Sequence, residues 1–122
     1  MPAAILLLAF WLCNVIGCRK TETGPVYQGR LEVTGICSNY TLSVTSGGLD
    51  SNRVEPQWTD PTTNLTYTNA FRLNNPCDFP TTLKAGDTFY FQIESAPSQN
   101  CAQCLAFYPT PAKGLSIRVV QP

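Results

Sequence analysis

The chain has 122 residues, with eight basic and eight acidic side chains and no histidine. This length suits one domain with a modest core, and zero net charge without a basic stripe argues against nucleic acid as a partner. The lack of histidine excludes Ser-His-Asp triads, Cys-His dyads and histidine-based metal sites.

The first predicted element is the apolar segment MPAAILLLAFWLCNVIGC at residues 1–18. It is short for a bilayer span and ends in small residues, as secretory signal peptides do. Val15-Ile16-Gly17-Cys18 resembles a bacterial lipobox, in which the signal peptidase cuts before the cysteine and its sulfur is lipidated. That resemblance makes residues 1–17 a signal peptide, Cys18 the lipidation site and residues 18–25 a lipidated tether.

Counting the cysteines favours lipidation over ordinary cleavage after Gly17. The chain has six cysteines, and Cys13 would leave with the signal peptide. Ordinary cleavage would then leave five, which is an odd number for an exported protein. Lipidation of Cys18 leaves four cysteines, which can pair completely.

Residues 26–122 are predicted to form a single β-domain, because apolar residues alternate with polar ones and no window shows a helical stripe. Pro56 in the short strand near Trp58 indicates a sheet edge. The final antiparallel pair is predicted over residues 104–108 and 115–120. The inward-facing sets are predicted to be Leu31 with Val33; Tyr40, Leu42 and Val44; Tyr67, Phe71 and Leu73; and Phe89, Phe91 and Ile93.

The predicted fold is therefore all-β, with about six or seven short strands held by disulfide bonds. Two architectures fit this pattern: a small antiparallel sandwich, or a Greek-key or OB-like barrel. The parity of the inward set changes between Val33 and Tyr40, which predicts a bulge or bend near residues 36–39.

The CAQC motif, Cys101 to Cys104, admits three interpretations: structural bridges, a redox pair or half of a metal site. The residues that follow it contain prolines and begin no helix, so it lacks the setting of a thioredoxin-like centre. Residues three apart on a strand point to opposite faces, which favours separate bonds to Cys37 and Cys77. A thiol–disulfide or metal-handling role stays as the alternative.

Other candidate site residues are aromatic. Trp58, Tyr90 and Tyr108 could face a sugar ring or an apolar partner, whereas Tyr67 shares the parity of Phe71 and is predicted to be in the core. Acidic residues such as Asp60 and Glu94 show no spacing that suggests paired catalytic carboxylates, so no enzyme, metal or cofactor is predicted.

Four segments, GICSNYTLSV, NNPCDFP, GDTFYFQI and NCAQCLAFYPTP, together resemble small uncharacterised secreted lipoproteins of Bacteroidota. The resemblance implies an envelope-anchored β-domain and, since Arg19 is not an aspartate, an outer-membrane destination. It supplies no activity. The function expected from the sequence is a non-catalytic binding or structural domain, anchored at Cys18, whose partner is an envelope protein or a glycan. The carbohydrate-binding module is the second alternative.

Overall fold

The structure is a computed structural model that describes residues 24–98, 100–102 and 104–121. The predicted signal peptide, the lipidation site Cys18 and most of the tether lie outside the described residues. Within the described residues, no helix is long and apolar enough to cross a membrane.

The described residues form an all-β domain without an α-helix, which confirms the predicted fold class. Three short 3-10 turns, Ile36–Ser38, Ser51–Arg53 and Pro76–Asp78, interrupt the connections. The seven strands are β1 (Tyr27–Gly35), β2 (Asn39–Ser46), β3 (Glu55–Thr59), β4 (Thr66–Leu73), β5 (Thr88–Ile93), β6 (Gly114–Leu115) and β7 (Ile117–Val120).

The strands form one sheet in the order β3-β4-β2-β1-β5-β7, and β6 pairs with β4 in parallel. All other pairs are antiparallel. Only Ser116 separates β6 from β7, so this last stretch of chain pairs with β4 on one side and β5 on the other. The sheet therefore closes on itself as a small OB-like barrel rather than a sandwich. Strand β3 lies outside the ring as an edge strand, as Pro56 predicts.

The buried side-chain amide of Asn75 completes the closure of the barrel between β6 and β7. Asn75 is fully buried; its Nδ2 donates to the Ile117 carbonyl at 2.7 Å, and the Ile117 N–H donates to its Oδ1 at 2.9 Å. The side chain thus supplies the backbone hydrogen bonds of Ile117, which is also paired with Ile93 of β5. Buried backbone groups need such partners, so this amide keeps the seam of the barrel free of orphaned polar atoms.

Aromatic rings fill the barrel. Phe71 and Phe91 are fully buried with ring centroids 5.8 Å apart, and Phe79 meets Phe89 edge to face at 5.6 Å. These contacts confirm the inward positions predicted for three of the four rings. The buried cluster comprises Tyr27, Leu31, Leu42, Val54, Phe71, Leu73, Phe79, Phe89, Phe91, Leu115 and Ile117.

One local expectation is wrong, and a second is confirmed but incomplete. Residues 104–110 form no strand, and β7 pairs with β5 instead of with them. A bend does occur at residues 36–38, where Cys37 has a φ of 60°, but the register of β1 also shifts between Leu31 and Val33. Glu32 is the extra residue of that bulge.

Candidate functional site

Two disulfide bonds hold the CAQC loop. Cys104 is bonded to Cys37 in the turn after β1, and Cys101 is bonded to Cys77 in the turn after β4. The two cysteines of the motif therefore have separate, distant partners, as the spacing argument predicts. No local redox bond joins them in this oxidised form. Within the described ranges, no group of three or more His, Cys, Asp or Glu side chains could hold a metal ion.

Side chains also hold the segment after Cys104. The Asn39 amide donates to the carbonyl of Ile36 at 2.7 Å and to that of Ala106 at 2.9 Å. Tyr108 packs over the end of β1, where Gly35 leaves room for it: a Cβ at Gly35 would lie 2.8 Å from the ring. The loop therefore follows the end of the barrel along a fixed path.

A buried carboxylate ties the same segment to the β3–β4 hairpin. Asp60 is fully buried and accepts hydrogen bonds from the Tyr108 hydroxyl at 2.7 Å and from the N–H and hydroxyl of Thr62, each at 2.8 Å. Burial acts to raise the pKa of Asp60, but the hydrogen bonds from Tyr108 and Thr62 outweigh it and keep that pKa below its ordinary value. These hydrogen bonds give Asp60 and Tyr108 a structural role. Tyr108 is half-buried and is not presented to a ligand.

These ties leave a group of apolar side chains in solvent at one end of the barrel. We call it the apolar rim, and its exposed fractions are 61% for Ile36, 57% for Leu65, 98% for Leu105 and 81% for Phe107. Ile36 and Leu105 adjoin the two cysteines of one disulfide, and the Leu65 carbonyl accepts a hydrogen bond from the N–H of Asp60. Sequence reasoning missed the rim because it assigned residues 104–108 to a strand.

A polar groove of about 400 Å³ lies between β1, β2 and β4, and we call it the Tyr67 groove. Glu32 contributes a carboxylate that is 3.7 Å from the Arg30 guanidinium and accepts a hydrogen bond from the Ser43 hydroxyl at 3.2 Å. Its lining comprises Arg30, Glu32, Ser43, Val44, Thr45, Thr66, Tyr67, Thr68 and Asn69.

Tyr67 is half-buried in this groove rather than part of the buried core cluster, which corrects the prediction from parity. Its ring stacks on Trp58, its cross-strand partner, at a centroid distance of 6.1 Å and an angle of 25°. Burial and, secondarily, the negative charges of Glu32 and Asp60 raise the pKa of Tyr67. Its hydroxyl therefore stays protonated at neutral pH and can donate a hydrogen bond.

The three aromatic residues predicted to face a ligand do not converge. Trp58 stacks on Tyr67 but is not among the described residues that line the Tyr67 groove, and Tyr108 is held by Asp60. Tyr90 is 38% exposed and lines a separate groove of about 390 Å³ that also contains Leu83 and Val119. Of the three, Trp58 is the one whose ring contacts Tyr67 of the groove.

The site must be interpreted from its own geometry, because sequence and fold comparisons supply no relative. No protein-family model matches this chain, and neither a curated protein nor a solved structure is significantly similar to it.

Proposed function

We propose that this protein is a non-catalytic binding domain of the cell envelope, anchored by lipid at Cys18, that presents its apolar rim to an envelope protein. The two long-range disulfide bonds indicate an oxidising, extracytoplasmic environment. The lipobox-like VIGC motif supports the anchor. The rim supports the binding role.

The observation that carries the proposal is the exposure of Leu105 and Phe107 on a segment that is fixed rather than loose. Large apolar side chains left in water contribute little to the core, and clustered ones mark interaction surfaces. Two disulfides and the bonds from Asn39 and Tyr108 order the backbone beneath them. A partner would meet a preorganised surface, so little entropy is lost on binding.

The charge pattern favours an apolar partner surface. Residues 95–112 contain no Lys, Arg, Asp or Glu. A surface without charges neither steers an acidic or basic partner nor pairs with one. The complementary surface should therefore be apolar at its centre and uncharged around it.

Gly24 and Ile36 of the rim lie at opposite ends of β1. Gly24, at the end of the tether, accepts a hydrogen bond from Gln92 at 2.8 Å, and β1 begins three residues later. Nine residues of β1 then cover about 30 Å before Ile36. A lipid at Cys18 would hold the first end near the membrane and leave the rim accessible to a partner.

Photo-cross-linking in the native envelope tests the rim. A benzophenone side chain at position 107 should give one discrete adduct with another envelope protein, whereas the same group at position 90 should not. Leu105→Ser should abolish the adduct formed from position 107 without unfolding the domain. Adducts that are absent, that equal those from position 90, or that contain only a second copy of the chain would contradict the proposal.

Intact mass of the processed protein tests the anchor separately. We expect a chain that begins at Cys18 and carries acyl groups, and Cys18→Ser should block processing or release the protein from membranes. An unmodified Cys18 in the wild-type protein would refute lipidation while leaving the rim untouched.

A further inference from the structure

We propose that the Tyr67 groove is a second binding site, independent of the apolar rim, and that it takes a neutral saccharide. Three neighbouring strands contribute hydroxyl, carboxylate, guanidinium and aromatic groups to one cleft of about 400 Å³. That volume lies within the range of small-ligand pockets.

The polar groups of the groove suit vicinal hydroxyls. The Glu32 side chain is only 12% exposed, whereas the Arg30 side chain is 49% exposed, so the guanidinium can reach a ligand in the groove. Glu32 can accept hydrogen bonds from sugar hydroxyls and Arg30 can donate to their oxygens. Ser43 holds the carboxylate in place by its hydrogen bond.

The charge balance selects against anionic ligands. Arg30 is the one cation among the described residues that line the groove, and the Glu32 carboxylate lies 3.7 Å from it. A phosphate or sulfate would meet that carboxylate as well as the guanidinium, and the like charges would repel. A neutral polyhydroxylated ring meets no such penalty.

Tyr67, whose ring is stacked on Trp58, supplies the apolar half of sugar recognition. The C–H face of a sugar ring packs on an aromatic ring while its hydroxyls point to the sides, so a mixed aromatic and polar cleft fits both surfaces. Tyr67 brings a ring and a protonated hydroxyl into the same groove as Glu32.

Two irregularities of the sheet border this groove. Glu32 is the extra residue of the β1 bulge, and Asn69 in β4 has a φ of 51°, a left-handed conformation that costs free energy in a non-glycine residue. Bulges and strained residues often re-aim side chains at binding sites. An ion pair at 3.7 Å whose guanidinium is half-exposed adds little stability, so the Arg30–Glu32 contact does not by itself account for the bulge.

The test uses the processed protein in detergent, in which cleavage before Cys18 removes Trp11 and leaves Trp58 as the one tryptophan. An array of neutral and sulfated glycans identifies a probe, and Trp58 fluorescence then measures its affinity. We expect a neutral oligosaccharide to give a saturable change. Glu32→Gln and Tyr67→Phe should each weaken binding about tenfold, the equivalent of one lost hydrogen bond.

Two matched variants act as controls. Tyr90→Phe changes an exposed tyrosine outside the groove, and Leu105→Ser changes the apolar rim; both should leave the affinity unchanged. The same sugar offered as a glycolipid head group in vesicles distinguishes a lipid source from free glycan, and binding in either arm supports the site. Three outcomes would each overturn the proposal without bearing on the apolar rim. They are the absence of binding to any neutral glycan, a preference for sulfated glycans, and an unchanged affinity in Glu32→Gln.

Discussion

The barrel body and the CAQC loop achieve order by different means. In the body, seven strands pair around a core in which Phe71 and Phe91 are fully buried. In the loop, the described part of residues 94–113 contains no strand, and Leu105 and Phe107 lie in solvent. The loop is instead held by two disulfides and by side chains of the body. Apolar residues therefore stabilise the fold in one region and remain available for contacts in the other.

Arg72 shows how the body holds the loop. This β4 residue donates from its guanidinium to the carbonyls of Pro111 at 3.4 Å and Ala112 at 3.1 Å. It also donates to Asn74 at 3.0 Å, which fixes the position of the guanidinium. The carbonyls of a segment without sheet partners are thereby satisfied, as unpaired backbone groups require.

The difference between the barrel body and the CAQC loop is tested most strongly by deleting one phenylalanine ring in each region. Phe71→Ala should lower the free energy of unfolding by up to about 5 kcal/mol, because it leaves a cavity among fully packed rings. Phe107→Ala should change it by less than about 0.5 kcal/mol, since the side chain is in water. Urea unfolding measures both, and a cost above about 1 kcal/mol for Phe107→Ala would show that the loop packs as part of the core.

Removing a disulfide bond should have the next largest effect on the free energy of unfolding. Cys37 and Cys104 are separated by 67 residues, and Cys77 and Cys101 by 24. The chain-entropy relation gives about 4.4 kcal/mol for the longer loop and about 3.5 kcal/mol for the shorter, both as upper values. Paired Cys→Ser variants should therefore unfold at lower urea concentration than the wild type, with the Cys37/Cys104 pair the less stable. The reverse order would mean that local packing, not unfolded-state entropy, decides the contribution of each bridge.

The smallest expected effect concerns Asp60, where loop and hairpin meet. Its pKa is lowered in the folded state, so the unfolded chain takes up the proton first as the pH falls below about 4. Acid should therefore destabilise the wild type, and the stability present above that pH should be lost progressively below it. Asp60→Asn should cost about 2 kcal/mol at pH 7 through the weakened hydrogen bonds and should flatten the profile between pH 5 and 3. Thermal unfolding across this range checks both; an unchanged slope would contradict the assignment.

Much of the fold could be predicted from alternation alone. Leu31, Leu42, Phe71, Phe89 and Phe91 are buried as predicted, because strands that line a closed barrel keep every second residue inside. That Cys37 and Cys77 each bond one cysteine of CAQC followed from counting cysteines and from the spacing of the motif, but which cysteine each one bonds did not. These features depend on local sequence and a small set of pairings.

The candidate sites could not be predicted in the same way. Tyr67 has the parity of Phe71, but Asn69 lies between them in a left-handed conformation that no residue pattern reveals. Leu105 and Phe107 alternate like a strand, yet the long-range bond of Tyr108 to Asp60 fixes that segment against the end of the barrel. Both errors arise where tertiary contacts override local periodicity.

The closure of the barrel by its last strands has a consequence for how the chain acquires its structure. Residues 114–120 complete the ring by joining β4 to β5, which are already paired to β2 and β1. A chain that emerges with its N-terminus first can form the β1–β2 hairpin early but must keep an open seam until these residues arrive. Until then the edges of β4 and β5 expose unpaired backbone groups, which chaperones or other chains can bind. Native folding is thus a late event, set by the arrival of one short segment.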